Sequence, residues 1–360
     1  MTQVVLQILF AFALTAVLLL VLRRPALKAG LVDRPCGRKR HGRVVPLIGG
    51  VCILLGFVAA SLPADFGLRD YQGLFAGMAV LLIVGVVDDL IDIDAWIKFG
   101  AQVVAALLMT VWSGLVVEDL GQLLGPHVAL ELGALAVPFT VFCVVGLINA
   151  VNMFDGVDGL AAGTVAAALG WLVLAGAVNG GASWLVLAGL FLASVCAFLI
   201  FNMRNPWRRK AACFLGDSGS MMLGFALAWF AVEAAQGDHA LLPPVAIAWI
   251  LALPVLDTLT LMGRRILRGR HPFHPDREHL HHIFYRAGFT PGQTVTVLVL
   301  ASLALGSIGV VGTWLGVPEW VLAALFVPVA AAHLLAQARA WRFARLMRRQ
   351  LRWARSRLRG

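Results

Sequence analysis

The sequence predicts an all-α, polytopic membrane protein with about eleven transmembrane helices, its N-terminus outside and its C-terminus cytoplasmic. Three observations predict it. The 360 residues are 60% hydrophobic and only 13% charged, with a mean hydropathy of +0.87, whereas a soluble domain carries roughly 25% charged residues. Apolar runs of spanning length recur along the whole chain. The Lys and Arg residues between those runs fall almost entirely on alternate connections. This composition excludes a soluble globular domain, a disordered chain and a disulfide scaffold.

A bilayer core about 30 Å thick needs roughly 20 apolar residues in a helix. In lipid every backbone polar group must be paired, so each run reads as helix. The spans fall at about 4–22, 45–62, 72–87, 99–117, 131–148, 160–178, 183–201, 219–235, 242–262, 293–314 and 319–338. The first has no basic segment before it, and Arg23 and Arg24 follow it, so it reads as a retained span rather than a cleavable leader. Segment 23–43 carries eight Lys and Arg, loop 88–98 one (Lys98), loop 202–218 four, loop 263–290 six and the tail 339–360 nine. Only Arg69 lies in the other set of connections. The positive-inside rule then sets the orientation and points to a bacterial cytoplasmic (inner) membrane. The same tally accounts for the net charge of +10 without invoking nucleic acid.

Cys36, Cys52, Cys143, Cys196 and Cys213 form no CxxC pair and read as free thiols. No repeat or low-complexity linker divides the chain. Residues 1–338 read as one polytopic domain and 339–360 as a basic amphipathic cytoplasmic tail. That tail, WRFARLMRRQLRWARSRLRG from Trp341, reads as an interfacial helix on anionic lipid; a partner protein is the alternative.

The informative acids lie at span ends on the basic side. GVVDDLIDIDAWIK closes the third span with Asp88, Asp89, Asp92 and Asp94, then Lys98. Adjacent carboxylates repel and lose hydration at a membrane boundary, so Asp88 and Asp89 read as a site with a cation nearby. Asp92 and Asp94 read as a solvated helix end. INAVNMFDGVDGLAAG closes the fifth span with Asn149, Asn152, Asp155 and Asp158. Asn152, Asp155 and Asp158 are three apart and share a face on a helical turn. Their oxygens suit a hard cation such as Mg2+, which takes one or two carboxylates plus substrate phosphates; the alternative is a polar turn. FLGDSGS opens the eighth span as a phosphate-handling turn, small residues with free N–H groups at a helix N-terminus. Asp217 within it is a metal ligand or an N-cap, and Phe214 stacks on a base or simply packs.

PFHPDREHLHHIF carries His274, Asp276, Arg277, Glu278, His279, His281 and His282. The His spacing is too close for an ordinary zinc site, and with Arg277 and Arg286 the segment reads as a phosphate-binding surface. A basic, lipid-facing loop is the alternative. Asp257, inside the ninth span, hydrogen-bonds a neighbouring helix or reaches into the site. Together, acids for a metal, cations for phosphate and a bilayer edge point to phosphoryl transfer between a soluble nucleotide substrate and a lipid.

Five motifs in this order, DRPCGRKRHGRVVPLIGG, VDDLIDIDAWIK, NAVNMFDGVDGLAAG, FLGDSGS and PFHPDREHLHHIFYRAGFT, resemble those of the polyprenyl-phosphate N-acetylhexosamine-1-phosphate transferases of glycosyltransferase family 4. The resemblance covers about residues 33–290. The first and last motifs look like the undecaprenyl-phosphate GlcNAc-1-phosphate branch, which initiates O-antigen and other cell-surface polysaccharides. It implies transfer of GlcNAc-1-phosphate from a UDP-N-acetylhexosamine to undecaprenyl phosphate, with Mg2+ as cofactor and Mn2+ as its substitute. It also implies an eleven-span architecture.

Residue by residue, Asp217 matches a Mg2+ ligand and Asn152 its amide partner. Lys98 matches a lysine on the substrate phosphates, Asp88 a proposed base towards the lipid phosphate, and Asp89 a supporting acid. Asp155 and Asp158 match nucleotide-pocket residues, and Phe214 an aromatic against uracil. Arg277, His279, His281 and His282 fall in the loop associated with pyrophosphate and amino-sugar recognition, and Lys39, Arg40 and His41 in a basic motif near the nucleotide. The expected partners are the two substrates and membrane lipids, with a homodimer allowed and no nucleic acid. A covalent aspartyl-phosphate route through Asp88 or Asp89 stays open. A transporter or flippase of lipid-linked intermediates is the alternative function. A phosphatidyltransferase fits less well, because its compact motif with an Ala-Arg step is missing.

Overall fold

In the computed structural model each of the eleven apolar runs is helical over most of its length. The structure describes residues 2–33, 44–63, 68–179, 183–204, 208, 210–237, 240–269, 271 and 279–357. Lys39, Arg40, His41 and Arg277 lie outside the described residues, as do Cys36, His274, Asp276 and Glu278. The helices are α1 (Thr2–Val21), α2 (Arg23–Ala29), α3 (Gly49–Ser61), α4 (Gln72–Ile91), α5 (Ala95–Leu107), α6 (Ala136–Phe154), α7 (Leu160–Val178), α8 (Ser183–Asn202) and α9 (Gly216–Ala235). They continue as α10 (Pro244–Ile250), α11 (Ala252–Leu267), α12 (Leu280–Ala287), α13 (Pro291–Trp314), α14 (Glu319–Ala338) and α15 (Ala340–Arg357). Two short strands, β1 (Val32–Asp33) and β2 (Val45–Pro46), pair antiparallel.

Among the described residues nine helical segments are long and apolar enough to cross a membrane. Two predicted spans differ. The second is only the 13 residues of α3, a rise of about 20 Å, because residues 45–47 are drawn into strand pairing with β1 and Phe214. The ninth is broken: α10 and α11 meet at 77°. Pro254 lies in the first turn of α11 and has no N–H to return to Ile250, which permits the break at Leu251.

α9 is the axis of the bundle. It is apolar on all sides, 89% of its spanning window is buried, and it packs on α3, α4, α6 and α7. Small residues set the closest approach: a Cβ on Gly85 of α4 would collide with the Ser218 backbone of α9. That contact places Asp88 and Asp89 beside Asp217. Gly85→Ala is therefore expected to lower stability by about 1–3 kcal/mol through overpacking, whereas Gly146→Ala, with open space around the new methyl, leaves it unchanged. Thermal melts of the two purified variants check this; equal midpoints contradict it.

Hydrogen bonds between connections sort the helix ends into two sets. At one end Gln236, after α9, accepts from the Glu118 N–H (2.9 Å) and donates to the Asp119 carbonyl (3.1 Å), and Glu319, opening α14, accepts from the Gln122 N–H (2.9 Å). At the other end the Gly49 N–H donates to the Phe214 carbonyl (3.0 Å) and the Leu47 N–H to the Leu31 carbonyl (3.1 Å). Arg264 there donates to the Gln337 carbonyl (3.1 Å). These are the two sets of connections that the Lys and Arg tally separates. Asp88, Asp89, Asp155, Asp158 and Asp217 lie at the basic end.

Candidate active site

Four helix ends bring the acids together. The Lys98 Nζ, near the start of α5, sits 2.9 Å from Asp88 Oδ2 of α4 and 3.2 Å from Asp217 Oδ2 of α9. Asn152, near the end of α6, donates to Asp217 Oδ1 (3.3 Å) and to Ser220 Oγ (2.8 Å). The second Asp88 oxygen accepts from the Ile93 N–H (3.0 Å). Both Asp88 oxygens are thus engaged, one by backbone and one by the ammonium that bridges it to Asp217. The local sequence explains the approach. Asp92 ends α4 in the left-handed conformation (φ 53°), and Asp94 caps α5 by accepting from the Trp96 N–H at 2.7 Å. Asp92 and Asp94 are the hinge that turns Lys98 back onto Asp88.

The FLGDSGS turn differs from the expectation of free N–H groups. Asp89 Oδ1 accepts from the Asp217 N–H (3.1 Å), and its Oδ2 accepts from the Ser218 N–H (3.4 Å) and hydroxyl (2.9 Å). The anion at the N-terminus of α9 is the Asp89 carboxylate itself. Gly216 is at φ +76° and a Cβ there would strike that carboxylate, so only glycine fits. Asp217 is not the N-cap of α9, which is Leu215 without a side-chain bond. Its side chain turns to Lys98 and Asn152 instead.

The expectation that Asn152, Asp155 and Asp158 share one helical face is also corrected. α6 ends at Phe154, Asp155 has left helical geometry (ψ 42°), and Asp158 lies in the following turn. Polar side chains there compete with further helix. The three still line one cavity of about 420 Å³, with Asp33, Asp89, Asp217, Asn202 and Phe214. Among the described residues five carboxylates and no Lys or Arg line it. Arg204 fixes Asp158 from outside at 2.7 Å. Burial, and then the charges of Asp217, Asp158 and Asp89, push the Asp155 carboxyl up to about 8.

The His loop packs on the wall of this cavity through His281. Its ring lies against Gly156, where a Cβ would come within 2.8 Å of Cε1. His281 is 3% exposed, its Nδ1 has no hydrogen-bond partner, and burial followed by the neighbouring His282 and His279 lowers its pKa well below the usual value. It is neutral near pH 7. His279 is aimed by Asp257, whose Oδ2 is 2.9 Å from Nδ1. The other Asp257 oxygen accepts from the Leu280 N–H (3.0 Å), capping α12, and from Gln337. His282 stacks obliquely on His281, 4.2 Å between ring centres.

Two further residues, Asn202 and Asp33, help to build the cavity. Asn202 accepts from the Gly159 N–H (2.6 Å) and donates to the Cys213 carbonyl (2.9 Å), clamping the acid turn to the FLGDSGS turn. Its only sequence signal is an amide closing an apolar run. Asp33 reaches the cavity through strand pairing, for which two residues leave no readable pattern.

The donor set fits a hard divalent cation. Asp217 and Asn152 carry oxygen donors and line a cavity whose carboxylates would otherwise repel a diphosphate; Lys98 and the Asn152 amide N–H engage the two Asp217 oxygens, contacts that a cation would replace. Among the described residues no three Asp, Glu, His or Cys side chains form a complete cage, and Mg2+ needs none where substrate phosphates complete its shell.

Residues 71–235 match the family model described as glycosyl transferase family 4. That span holds Asp88, Asp89, Lys98, Asn152, Asp155, Asp158, Phe214 and Asp217. Over nearly the whole chain the protein is similar to proteins named undecaprenyl-phosphate alpha-N-acetylglucosaminyl 1-phosphate transferase. The Yersinia pestis protein is 35% identical over 344 residues, covering 95% of this chain and 94% of the relative. The Escherichia coli K12 protein is 34% identical, with 94% and 92% covered, and the Haemophilus influenzae protein 35% identical, with 96% and 97% covered.

Proposed function

The chain belongs to glycosyl transferase family 4, and from that premise we propose that it transfers N-acetylglucosamine 1-phosphate from UDP-GlcNAc to undecaprenyl phosphate. UMP is released and a lipid-linked diphosphate sugar remains. The reaction takes place at the cytoplasmic face of the bacterial inner membrane, a reading supported by the basic connections at the cavity's end of the bundle. One observation carries the reading: a lysine ammonium held between Asp88 and Asp217 at the edge of an acidic cavity, where span ends meet.

The nucleotide enters the cavity between Phe214 and the Asp155–Asp158 turn, with the uracil against the Phe214 ring. Asp217 and Asn152 would hold Mg2+, which would neutralise charge on the diphosphate. Lys98 places a fixed positive charge beside the reacting phosphates. An oxygen of the lipid phosphate attacks the phosphorus that carries the sugar, in line with the bond to UMP. That P–O bond breaks and its electron pair leaves on the UMP phosphate. A phosphate has a second pKa of about 6, so little is left for a base to remove. Asp88, with both oxygens engaged, positions Lys98, and Asp89 holds the turn that presents Asp217. His279, set by Asp257, and neutral His281 donate to the diphosphate or the amino sugar.

The test is UMP release from UDP-GlcNAc by purified protein. It is expected only with undecaprenyl phosphate present, and to stop with EDTA. A transporter of lipid-linked intermediates releases none, and UMP release without the lipid contradicts the proposal. A parallel set of UDP-sugars reads the sugar preference.

Asp155 adds a pH dependence. Its value of about 8 lies above that of an unfolded Asp, about 4. The metal-free native chain therefore holds a proton that the unfolded chain has lost, and stability falls as pH rises between these values. A cation in the cavity displaces that proton. Mg2+ affinity is expected to rise with pH and level off above about 8, with proton release seen by calorimetry in buffers of different ionisation heat. Asp155→Asn should abolish the release; unchanged release in that variant contradicts the assignment.

A further inference from the structure

α5 carries Lys98 but has little with which to fix its own rotation. Its buried residues are Ala101, Gln102, Ala105 and Ala106. Helices key into one another through the ridges that their side chains form, and three alanine methyl groups form almost none. A π turn over Leu108–Trp112 then breaks the regular repeat, so contacts beyond it set the rotation of the Lys98 half poorly.

Gln102 is the one polar member of that buried set, and it is 4% exposed. Its Oε1 accepts from Asn149 Nδ2 of α6 at 2.6 Å. Its Nε2 lies 3.5 Å from Asn149 Oδ1 and 3.5 Å from Met221 Sδ of α9. Asn149 Nδ2 also donates to the Val145 carbonyl (2.8 Å). Two side-chain amides facing head to tail satisfy each other's donors and acceptors. Turning α5 would leave both unpaired among apolar helices, so the pair selects one rotation, as a buried amide selects the register of a coiled coil.

This pair lies directly beneath the site. Gln102 is four residues after Lys98 on α5, Asn149 three before Asn152 on α6, and Met221 four after Asp217 on α9. α6 runs towards the basic end, whereas α5 and α9 run away from it. All three steps therefore go the same way, about one helical turn deeper into the bundle. The same three helices meet twice, once at Lys98, Asn152 and Asp217 and once at Gln102, Asn149 and Met221.

We propose that Gln102 is a positioning residue for the transfer reaction: its amide pair with Asn149 fixes the rotation of α5 that holds Lys98 between Asp88 and Asp217. The kinetic side of this role rests on the transferase reading above, whereas the placement of Lys98 does not.

The test compares purified full-length wild type, Q102L, the reciprocal swap Q102N/N149Q and T110V. Thr110 is buried beyond α5 and donates to the Ala106 carbonyl (2.9 Å), so T110V is the packing control. Placement is read without substrate by reductive methylation of Lys98, mapped by mass spectrometry against the exposed Lys28 of α2. An ammonium held between two carboxylates is shielded from the reagent. In Q102L labelling of Lys98 is expected to rise severalfold. UMP release should lose about ten- to hundredfold in kcat, with KM for UDP-GlcNAc changed less than about threefold. The swap keeps an amide on each helix and the summed side-chain length, and should recover most of both losses. T110V should behave as wild type. A role in packing alone would lower the melting midpoint of Q102L and leave the labelling and kcat of the folded protein unchanged, which overturns the proposal. So does a folded swap variant with Lys98 labelled as fast as in Q102L, or a T110V impaired as much as Q102L. Should Q102L not fold, Q102M, which keeps the length of the side chain, is read in the same way. Faster Lys98 labelling in Q102L beside a wild type that releases no UMP supports the placement and contradicts the transferase reading instead.

Discussion

Asp217→Asn is expected to lower transferase activity by about 10²- to 10³-fold or more while the protein still accumulates in membranes. The reasoning is local. Among the described residues Asp217 is the one acid that touches both Lys98 and Asn152, and its side chain is 40% exposed. Asparagine keeps its size and one oxygen. Lys98 keeps Asp88 as a partner, and the backbone N–H of residue 217 keeps Asp89. What disappears is the negative charge that a cation needs. A loss of this size corresponds to about 3–4 kcal/mol of transition-state stabilisation. Membrane assays with matched protein levels measure it, and wild-type turnover in the variant contradicts the site.

Lys98 gives the second large effect, and a double variant separates its two roles. Lys98→Met leaves Asp88 without its countercharge in a position only 9% exposed, and leaves the substrate phosphates without a fixed cation. Activity should fall by about 10²-fold or more. Stability should fall by about 1–3 kcal/mol, less than for a fully buried pair because the Lys98 side chain is 24% exposed. Asp88→Asn added to Lys98→Met removes the orphaned charge. The double variant is expected to regain the stability and none of the activity. Recovered activity would mean that Lys98 serves only to neutralise Asp88. Asp88→Asn alone should also lose activity, because it frees Lys98 from its position; persistence of wild-type turnover there contradicts the positioning role.

Much of this was legible in the sequence, for a physical reason. Spanning runs are long, and their pattern does not depend on partners, so the helices could be read locally. Lys and Arg sort by side, so the convergence of Asp88, Lys98, Asn152 and Asp217 on one end could be anticipated from charge alone. What could not be read depends on distant partners. Asp89 lines the cavity, and no spacing in the sequence says that it also holds the start of α9. Asp92 and Asp94 look idle until they are seen to cap and turn the chain. The break at Leu251 and the shortening of α3 arise from one proline and from strand pairing across a dozen residues. Asn202 and Asp257 act by clamping turns, which leaves no spacing signature. The basic motif around Lys39, Arg40 and His41, and Arg277 in the His loop, lie outside the described residues, and their part in nucleotide binding rests on the resemblance of their motifs.

The central claim is that Asp217 and Asn152 hold a divalent cation at the edge of an acidic cavity, beside Lys98. Its most direct measurement is Mn2+ binding to the purified full-length protein, followed by electron paramagnetic resonance without substrate turnover. The account predicts one Mn2+ bound in wild type, displaced by Mg2+, and lost or weakened at least about tenfold in Asp217→Asn, with Asp94→Asn binding as wild type does. Equal Mn2+ binding by wild type and Asp217→Asn would contradict it.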